Sequence, residues 1–380
     1  MPGPLDGVRV LELPALGPVP LAGLLLADLG AEVIRIDRLA GGTSMTEVFA
    51  ASPLGRGRRS VSIDLRIPEG AEAARRIADG CDVVIEGFRP GVAERLGLGP
   101  DTLSARNPRL VYGRMTGWGQ DGPLAPTAGH DITYLAITGL LHGIGSAEGP
   151  PIPPVNYVAD FGGGAMFLVT GVLAAVLNAR TTGQGQVVDA AMTDGAGFLG
   201  TMTRTMVGMG TWQDRRAANL LDGGSPNYRC YETSDGKWLA VGALEPQFWA
   251  ALVEALGFEV ASTPSPYDPN DHEACTLLLT ETFRSRTRDE WAALFEPLDA
   301  CVAPVLTLEE SLAHPHNVAR GSFVEVGGVP MPAPAPRFSR TQGETAPAPA
   351  AIGQHNDEVL TAAGLSAPEI AALRDAKIID

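Results

Sequence analysis

The fold is decided near the amino terminus by residues 8–37, which read VRVLELPALGPVPLAGLLLADLGAEVIRID. Residues 8–13 form a short apolar run of the length of a buried parallel strand. A Gly/Pro turn follows, then a helical stretch over about 21–29 and a second apolar run over 31–37. The order strand, helix, strand indicates an α/β fold.

The same alternation continues outward from this segment. The pattern predicts an edge strand at 60–65, a helix at 70–79, strands at 82–86, 110–114 and 185–192, a long apolar helix at about 162–180 and a helix near 194–209. Strands that alternate with helices pack as a parallel sheet covered by helices. We therefore expect a large Rossmann-like domain.

A second type of pattern begins where turn residues accumulate around Asp222 to Pro226. Asp235-Gly236 separates two alternating runs, which is a hairpin signal. Helices are predicted at about 246–256, 275–283, 289–296 and 367–376. We expect a large domain at 1–190 completed by about 330–380, a connector at 191–224, a small α+β domain at 225–320 and a Pro/Ala-rich extended connector at 321–351.

Composition limits the function classes. The 380 residues include 28 Lys plus Arg and 44 Asp plus Glu, a formal net charge of −16, which excludes nucleic-acid binding driven by a basic surface. The four cysteines contain no C-x-x-C pair, so neither a zinc site nor a disulfide framework is indicated. The apolar run 165–179 falls short of the roughly 18–20 residues that span a bilayer, and the first residues lack a signal-peptide pattern. We expect a cytoplasmic protein that does not bind membranes or nucleic acid.

Binding of a dinucleotide is disfavoured. Asp37 ends the second predicted strand, where dinucleotide-binding folds place an acidic residue. The segment after the first strand, however, lacks the G-x-G-x-x-G pattern that lets a pyrophosphate approach a helix N-terminus.

Two segments carry candidate proton-transfer groups. His130 and Asp131 stand at a predicted helix start, where His130 could exchange a proton near neutral pH and Asp131 could cap the helix. Asp160 precedes Gly162-Gly163-Gly164 at the predicted start of the long apolar helix. Free N–H groups there could stabilise a substrate oxyanion, with Asp160 as acid, base or nucleophile. A buried histidine beside a capping residue, and tight packing of the glycines, remain the structural alternatives.

Further candidates are Glu245 and several arginines near predicted strand ends. Glu245 lies between a strand and a helix, where it could also serve only the helix dipole. The arginines could be solvated loop charges or could grip a polyphosphate such as that of coenzyme A. They are Arg35, Arg38, Arg56, Arg58, Arg59, Arg89 and Arg95.

These stretches together resemble the α-methylacyl-CoA racemases of the class III CoA-transferase superfamily. The resemblance is carried by LADLGA at 26–31, GRGRRS at 55–60, FRPGV at 88–92, TGWGQ at 116–120, GHD at 129–131, ADFGG at 159–163, LDGG at 221–224 and AVGALEPQF at 240–248. It runs through almost the whole chain.

The resemblance implies two subunits interlocked like chain links, with each site between the large domain of one subunit and the small domain of the other. It implies that His130 and Asp160 transfer protons on opposite faces of the α-carbon of a 2-methylacyl-CoA, through an enolate, with Glu245 of the partner subunit in support. It places Arg38, Arg58, Arg59, Arg89, Arg95, Asp131 and Tyr134 at the substrate and the CoA moiety. No metal or redox cofactor is implied.

The main alternative is CoA transfer between acids, in which Asp160 attacks the thioester. A silent acyl-CoA-binding protein is a further alternative. The sequence does not select among branched fatty acyl, sterol side-chain and arylpropionyl substrates.

Overall fold

The computed structural model describes residues 3–39, 45–341 and 345–380. Its strands are β1 Arg9–Glu12, β2 Glu32–Asp37, β3 Arg58–Ser62, β4 Val83–Glu86, β5 Val111–Thr116, β6 Val187–Ala191, β7 Tyr228–Glu232, β8 Trp238–Gly242, β9 Val302–Pro304, β10 Phe323–Val326 and β11 Val329–Pro332.

The α-helices follow in chain order. They are α1 Pro18–Asp28, α2 Met45–Ala51, α3 Pro68–Asp79, α4 Val92–Arg95, α5 Pro100–Arg106, α6 Asp131–Thr138, α7 Met166–Thr182, α8 Met192–Leu199, α9 Thr201–Gly208, α10 Pro246–Ala255, α11 His272–Phe283, α12 Arg288–Phe295, α13 Leu308–Ala313, α14 Pro315–Arg320, α15 Asn356–Ala362 and α16 Ala367–Asp375. A π-helix, Tyr157–Ala165, runs directly into α7.

The chain divides into two compact units. The first comprises residues 1–138, 155–200 and 315–380, and the second comprises 139–154 and 201–314. The segment 139–154 belongs to the second unit, although the sequence analysis placed it within the large domain. The carboxyl-terminal part of the first unit begins at residue 315 rather than at about 330.

The first unit is built on a six-stranded parallel sheet in the order β3-β2-β1-β4-β5-β6. Val10 of β1 pairs with Val33 of β2 on one side and with Val83 of β4 on the other. Later strands therefore extend the sheet on both sides of β1. In such sheets ligands bind at the carboxyl ends of the strands, near the point where the strand order reverses. The predicted α/β fold with a parallel sheet is confirmed.

The carboxyl-terminal residues complete this unit along β3. The N–H of Asp64 donates to the carbonyl of Ile378 at 2.9 Å, and the N–H of Ser62 donates to Asn356 Oδ1 at 2.9 Å. Buried side chains of α15 and α16, including Leu360 and Ile370, join the apolar core formed by the sheet and α3.

The second unit contains the antiparallel sheet β7-β8-β9 and helices α9 to α13. The predicted hairpin is present, with Cys230 paired to Ala240. One face of this sheet packs on an apolar core in which the Phe283 ring lies 5.2 Å from that of Tyr231 and 5.5 Å from that of Trp291.

Three element predictions differ from the structure. The helix expected at 194–209 is two helices, α8 and α9, separated at Gly200. The expected connector at 321–351 contains the hairpin β10–β11, since the pair Gly327-Gly328 adopts positive φ and allows a tight turn; residues 342–344 of that connector lie outside the described residues. The strand expected at 60–65 begins two residues earlier, at Arg58.

The long apolar helix is longer than its sequence predicts. With the π-helical segment it spans Tyr157–Thr182, 26 residues, and by length and composition alone it could cross a membrane. The length argument made from residues 165–179 is therefore wrong. Core helices of soluble proteins pass the same test, and Leu168, Val169 and Val172 of this helix are buried within the first unit.

Candidate active site

His130 lies immediately before helix α6, in the segment that follows β5. Its carbonyl accepts hydrogen bonds from the N–H groups of Thr133 and Tyr134 at 2.8 and 3.1 Å, and its own N–H donates to Thr133 Oγ1 at 2.9 Å. The residue in the capping position is thus His130 and not Asp131. The imidazole is exposed beside the carboxyl end of the sheet.

Asp131 joins this segment to the one that carries Asp160. Its Oδ2 accepts hydrogen bonds from the N–H groups of Ala159 and Asp160, each at 2.8 Å. The side chain is only 5% exposed, so it offers little surface to a ligand. Asp131 was expected to cap its own helix and contact substrate; the structure turns its carboxylate toward the backbone of the neighbouring segment instead.

Asp160 lies inside the first turn of the π-helix. The sequence analysis instead placed it before the start of the helix. Asn156 Nδ2 donates to its Oδ2 at 3.4 Å. Burial raises the pKa of the Asp160 carboxyl; the hydrogen bond from Asn156 opposes this, the charge of Asp131 raises the pKa further, and His130 lowers it. The interaction between His130 and Asp160 shows that the two predicted proton-transfer groups lie within electrostatic range of each other.

The glycines after Asp160 serve close packing. A π-helix bonds each N–H to the carbonyl five residues earlier, so the N–H groups of Gly162 to Gly164 are used within the helix. A Cβ on Gly163 would lie 2.9 Å from the Cα of Ala196, and one on Gly164 would lie 3.1 Å from Met192 Cγ. Tight contact with α8 therefore explains the glycines, and the predicted use of their amides for a substrate oxyanion is wrong.

Tyr134 is buried next to the same segments. Its ring meets that of Trp118 edge to face at 4.8 Å between centroids, and it packs so closely on Gly117 and Gly129 that neither could carry a Cβ. Burial, with the charge of Asp160, raises the pKa of Tyr134 to about 12, while Arg89 lowers it. Arg89 therefore also lies within electrostatic range of this cluster.

The predicted arginines divide into two groups. Arg38 follows β2, Arg89 follows β4 and Arg95 ends α4, so all three are at the carboxyl edge of the sheet, and all three are exposed. Arg58 and Arg59 do not follow a strand, because they are the first residues of β3 and start at its amino end.

Arg58 is occupied inside the protein. Its Nε donates to Glu12 at 3.1 Å, and its Nη1 donates to the carbonyls of Leu54 and Arg56 at 2.8 and 2.9 Å. Its Nη2 donates to the carbonyl of Pro20. The side chain is buried, so we correct its predicted role in gripping CoA to an internal one. Arg59 pairs with Glu32 and Glu358.

Two further arginines from the sequence analysis are also internal. Arg35 holds Asp37 through Nε at 2.8 Å, and Arg56 holds Asp28 through Nη2 at 2.6 Å. All four side chains are buried. Both arginines are paired inside the protein and are not solvated loop charges.

Glu245 belongs to the second unit. It stands between β8 and α10, as predicted, with its side chain exposed. Its carbonyl accepts the N–H groups of Phe248 and Trp249, and its carboxylate makes no capping hydrogen bond. Its charge adds to burial in raising the pKa of Tyr267, so the carboxylate lies within electrostatic range of that side chain.

Sequence reasoning missed two neighbours of Asp160. Asn156 was not considered, although an amide four residues before a carboxylate can contact it in a helical turn. The Gly17 position is also adjacent, since a Cβ there would lie 3.7 Å from Asp160 Oδ2. Within residues 3–39, 45–341 and 345–380, no group of three or more His, Cys, Asp or Glu side chains is placed to hold a metal ion.

Comparison with known proteins identifies the same family as the sequence motifs. The α-methylacyl-CoA racemase of Mus musculus is 43% identical over 378 residues, covering 99% of this chain and 97% of that protein. The α-methylacyl-CoA racemase of Homo sapiens is 40% identical over 386 residues, with the same coverage. The crystal structure of a CAIB/BAIF family protein from Brucella suis superposes with a TM-score of 0.81 at 27% identity, covering 96% of this chain and 100% of that chain.

The match of the CoA-transferase family III model extends over residues 5–356, and therefore includes the second unit, most of the first unit and every candidate site residue discussed above. With racemases at 40–43% identity over nearly the full length, the resemblance inferred from the sequence is confirmed. The chain belongs to CoA-transferase family III.

Proposed function

We propose that this protein is an isomerase that interconverts (2R)- and (2S)-2-methylacyl-CoA thioesters. The relatives named α-methylacyl-CoA racemase support the substrate class. The observation that carries the mechanism is the connection between two segments: Asp131, directly after His130, accepts hydrogen bonds of 2.8 Å from the N–H groups of Ala159 and Asp160. A histidine and a carboxylate are thereby presented together at the carboxyl edge of a parallel sheet.

Inversion at the α-carbon needs two acid–base groups. One removes the α-proton from one face, and the other returns a proton to the opposite face. His130 and Asp160 exchange these roles for the two enantiomers, and each contributes about 10²–10⁴-fold. The raised pKa of Asp160 suits this task, because a carboxyl group in water is too weak a base near neutral pH.

The enolate oxygen needs hydrogen-bond donors placed where its charge develops. The N–H groups of Ala159 and Asp160 already donate to Asp131. In the described part of the chain, the first-turn N–H groups of Asp131 and Ile132 have no hydrogen-bond partner, and they stand next to His130 at the positive end of α6. We therefore propose the start of α6 as the oxyanion site.

The remaining parts of the proposal concern CoA, the partner subunit and the surroundings. Arg38, Arg89 and Arg95 are the exposed arginines suited to the CoA phosphates, whereas Arg58 is excluded by its burial.

We further propose an interlocked homodimer in which Glu245 of the partner subunit supports proton transfer from a small α+β domain. CoA enters as part of the substrate, with no other cofactor, in the cytoplasm and away from membranes.

The competing function within the family is CoA transfer with Asp160 as nucleophile. The two reactions differ in their need for His130, since forming an anhydride on Asp160 requires no second acid–base group. The deciding experiment follows loss of α-hydrogen label from (2R)- and (2S)-2-methylacyl-CoA in deuterated buffer, together with CoA transfer to free acids.

For a racemase, His130→Ala abolishes interconversion of the enantiomers and exchange of the α-hydrogen that His130 itself removes, whereas His316→Ala, a change at another exposed histidine on α14, alters neither. Transfer that survives His130→Ala, with no exchange in the unmodified protein, would establish the transferase instead. A protein that binds the thioester but catalyses neither reaction would refute both proposals.

A further inference from the structure

The Asp131 carboxylate has one satisfied and one unsatisfied oxygen. Oδ2 accepts two backbone N–H groups, whereas the buried Oδ1 has no hydrogen-bond partner among the described residues. Buried polar atoms without partners are rare, because each one loses its hydration without compensation. An asparagine would have the same shape at this position. The negative charge of the carboxylate therefore needs a physical explanation.

We propose that Asp131 is a positioning residue, whose carboxylate locks the Asp160 segment against the start of α6 and keeps a negative charge next to Asp160. This inference rests on the proposed proton transfer between His130 and Asp160. It replaces the contact with substrate that the sequence suggested for Asp131.

The locking part follows from the hydrogen-bond geometry. Both bonds are charge-assisted, and they end on the backbone of Asp160 itself and of the residue before it. Asp131 in turn directly follows His130, so a single side chain sets the separation of the two reacting groups. A misplacement of about 1 Å at a reacting centre can cost about 10²-fold in rate.

The electrostatic part follows from the groups around Asp160. The elements packed against the π-helix are α1, α6, α7, α8, β5 and β6. The charged and titratable groups that these elements and the residue before α6 carry are Asp28, Tyr112, Arg114, His130, Asp131, Tyr134, Arg180, Asp189 and Asp194. Of these, Asp131 raises the pKa of Asp160 and His130 lowers it, while burial has the largest effect. Arg114 is already engaged by Glu86 and Glu94 at 2.9 and 2.8 Å.

Two substitutions separate locking from charge. Asp131→Asn keeps an oxygen that can accept both N–H groups but removes the charge, and Asp131→Ala removes both. The matched control is Asp82→Asn, because Asp82 Oδ2 also accepts a backbone N–H, that of Arg9 at 2.9 Å, at the opposite edge of the sheet. Each variant is compared with the unmodified protein in α-hydrogen exchange against pH and in amide hydrogen exchange of residues 157–165.

For Asp131→Ala we expect the amides of Ala159 and Asp160 to lose protection and kcat for α-hydrogen exchange to fall about 10²-fold, with little change in KM. Asp131→Asn keeps the amide protection and more of kcat. For the enantiomer whose proton Asp160 removes, the rate rises as this carboxyl ionises. Since removing the charge of Asp131 lowers the pKa of Asp160, the acid limb of kcat/KM moves to lower pH in Asp131→Asn. Asp82→Asn changes neither the acid limb of kcat/KM nor kcat.

Unchanged amide protection in Asp131→Ala would overturn the locking, and an unmoved acid limb in Asp131→Asn would overturn the electrostatic role. If Asp131→Ala does not fold, Asp131→Asn decides alone: loss of protection at 159–160 despite the retained acceptor would refute the proposal. Failure of the unmodified protein to exchange the α-hydrogen would instead refute the racemase function, and the amide protection would still test the locking.

Discussion

The contact between the π-helix and α8 predicts a large effect from a single methyl group. In Gly195→Ala the new Cβ would overlap the carbonyl oxygen of Gly163 and lie 2.9 Å from its Cα. Carbon atoms pack at about 3.5–4.0 Å, so the two helices must separate by about 1 Å. Overpacking costs typically about 1–3 kcal/mol, and the upper end applies because the obstructing atoms are backbone and cannot rotate away. The gain in helix propensity returns about 1 kcal/mol, which leaves a net loss of about 2 kcal/mol.

The matched control for this prediction lies on the same helix. A Cβ on Gly197 meets nothing within 4 Å, so Gly197→Ala should leave the free energy of unfolding unchanged or raise it by up to about 1 kcal/mol. Urea unfolding followed by tryptophan fluorescence measures both variants. Because the π-helix carries Asp160, Gly195→Ala should also reduce α-hydrogen exchange by about 10²-fold. Equal unfolding free energies for the two variants would refute the assignment of the glycines to close packing.

Three further predictions test other parts of the structure. Glu12→Gln leaves Arg58 buried without its counter-charge and should lower the free energy of unfolding, measured in urea, by about 3–5 kcal/mol. Asp64→Asn, at the exposed pair with Arg66, should change it little. Similar effects of the two substitutions would contradict the internal role of Arg58. Ellman's reagent at pH 8 should modify Cys230 and Cys301 in the folded protein but not Cys81 or Cys275, because those two thiols are buried and their pKa is raised to about 12; mass mapping of the labelled peptides checks this. The Ser366 hydroxyl and N–H lower the pKa of Glu369 from 4.5 to about 2, so this carboxylate stabilises the fold above pH 4.5 and the contribution is lost as the pH falls through 2; Glu369→Gln should remove that part of the acid dependence of unfolding.

The parallel sheet could be predicted from the sequence because its strands are short apolar runs separated by helical patterns. Strand ends then place Arg38 and Arg89 at one edge without knowledge of any contact. The same reasoning failed at Arg58, because charged residues at the start of β3 are typical of a loop. Arg58 is inside a strand only because Glu12, 46 residues earlier, supplies its counter-charge, and a partner that distant leaves no local signal.

At the start of the long helix, too, a distant contact leaves no local signal in the sequence. Here the missed contact changes the proposed chemistry. Three consecutive glycines have low helix propensity, which favours a helix that begins with them, at about residue 162, over one that contains them in its interior. Packing against Gly195 and Ala196 outweighs that propensity, and the helix begins at Tyr157. Moving the start by five residues, from 162 to 157, takes the glycine amides out of reach of a ligand, and Asp131 takes the amides of residues 159 and 160. Because the same negative side chain removes these donors, we propose the first turn of α6, beside His130, as the place where an enolate oxygen is bound.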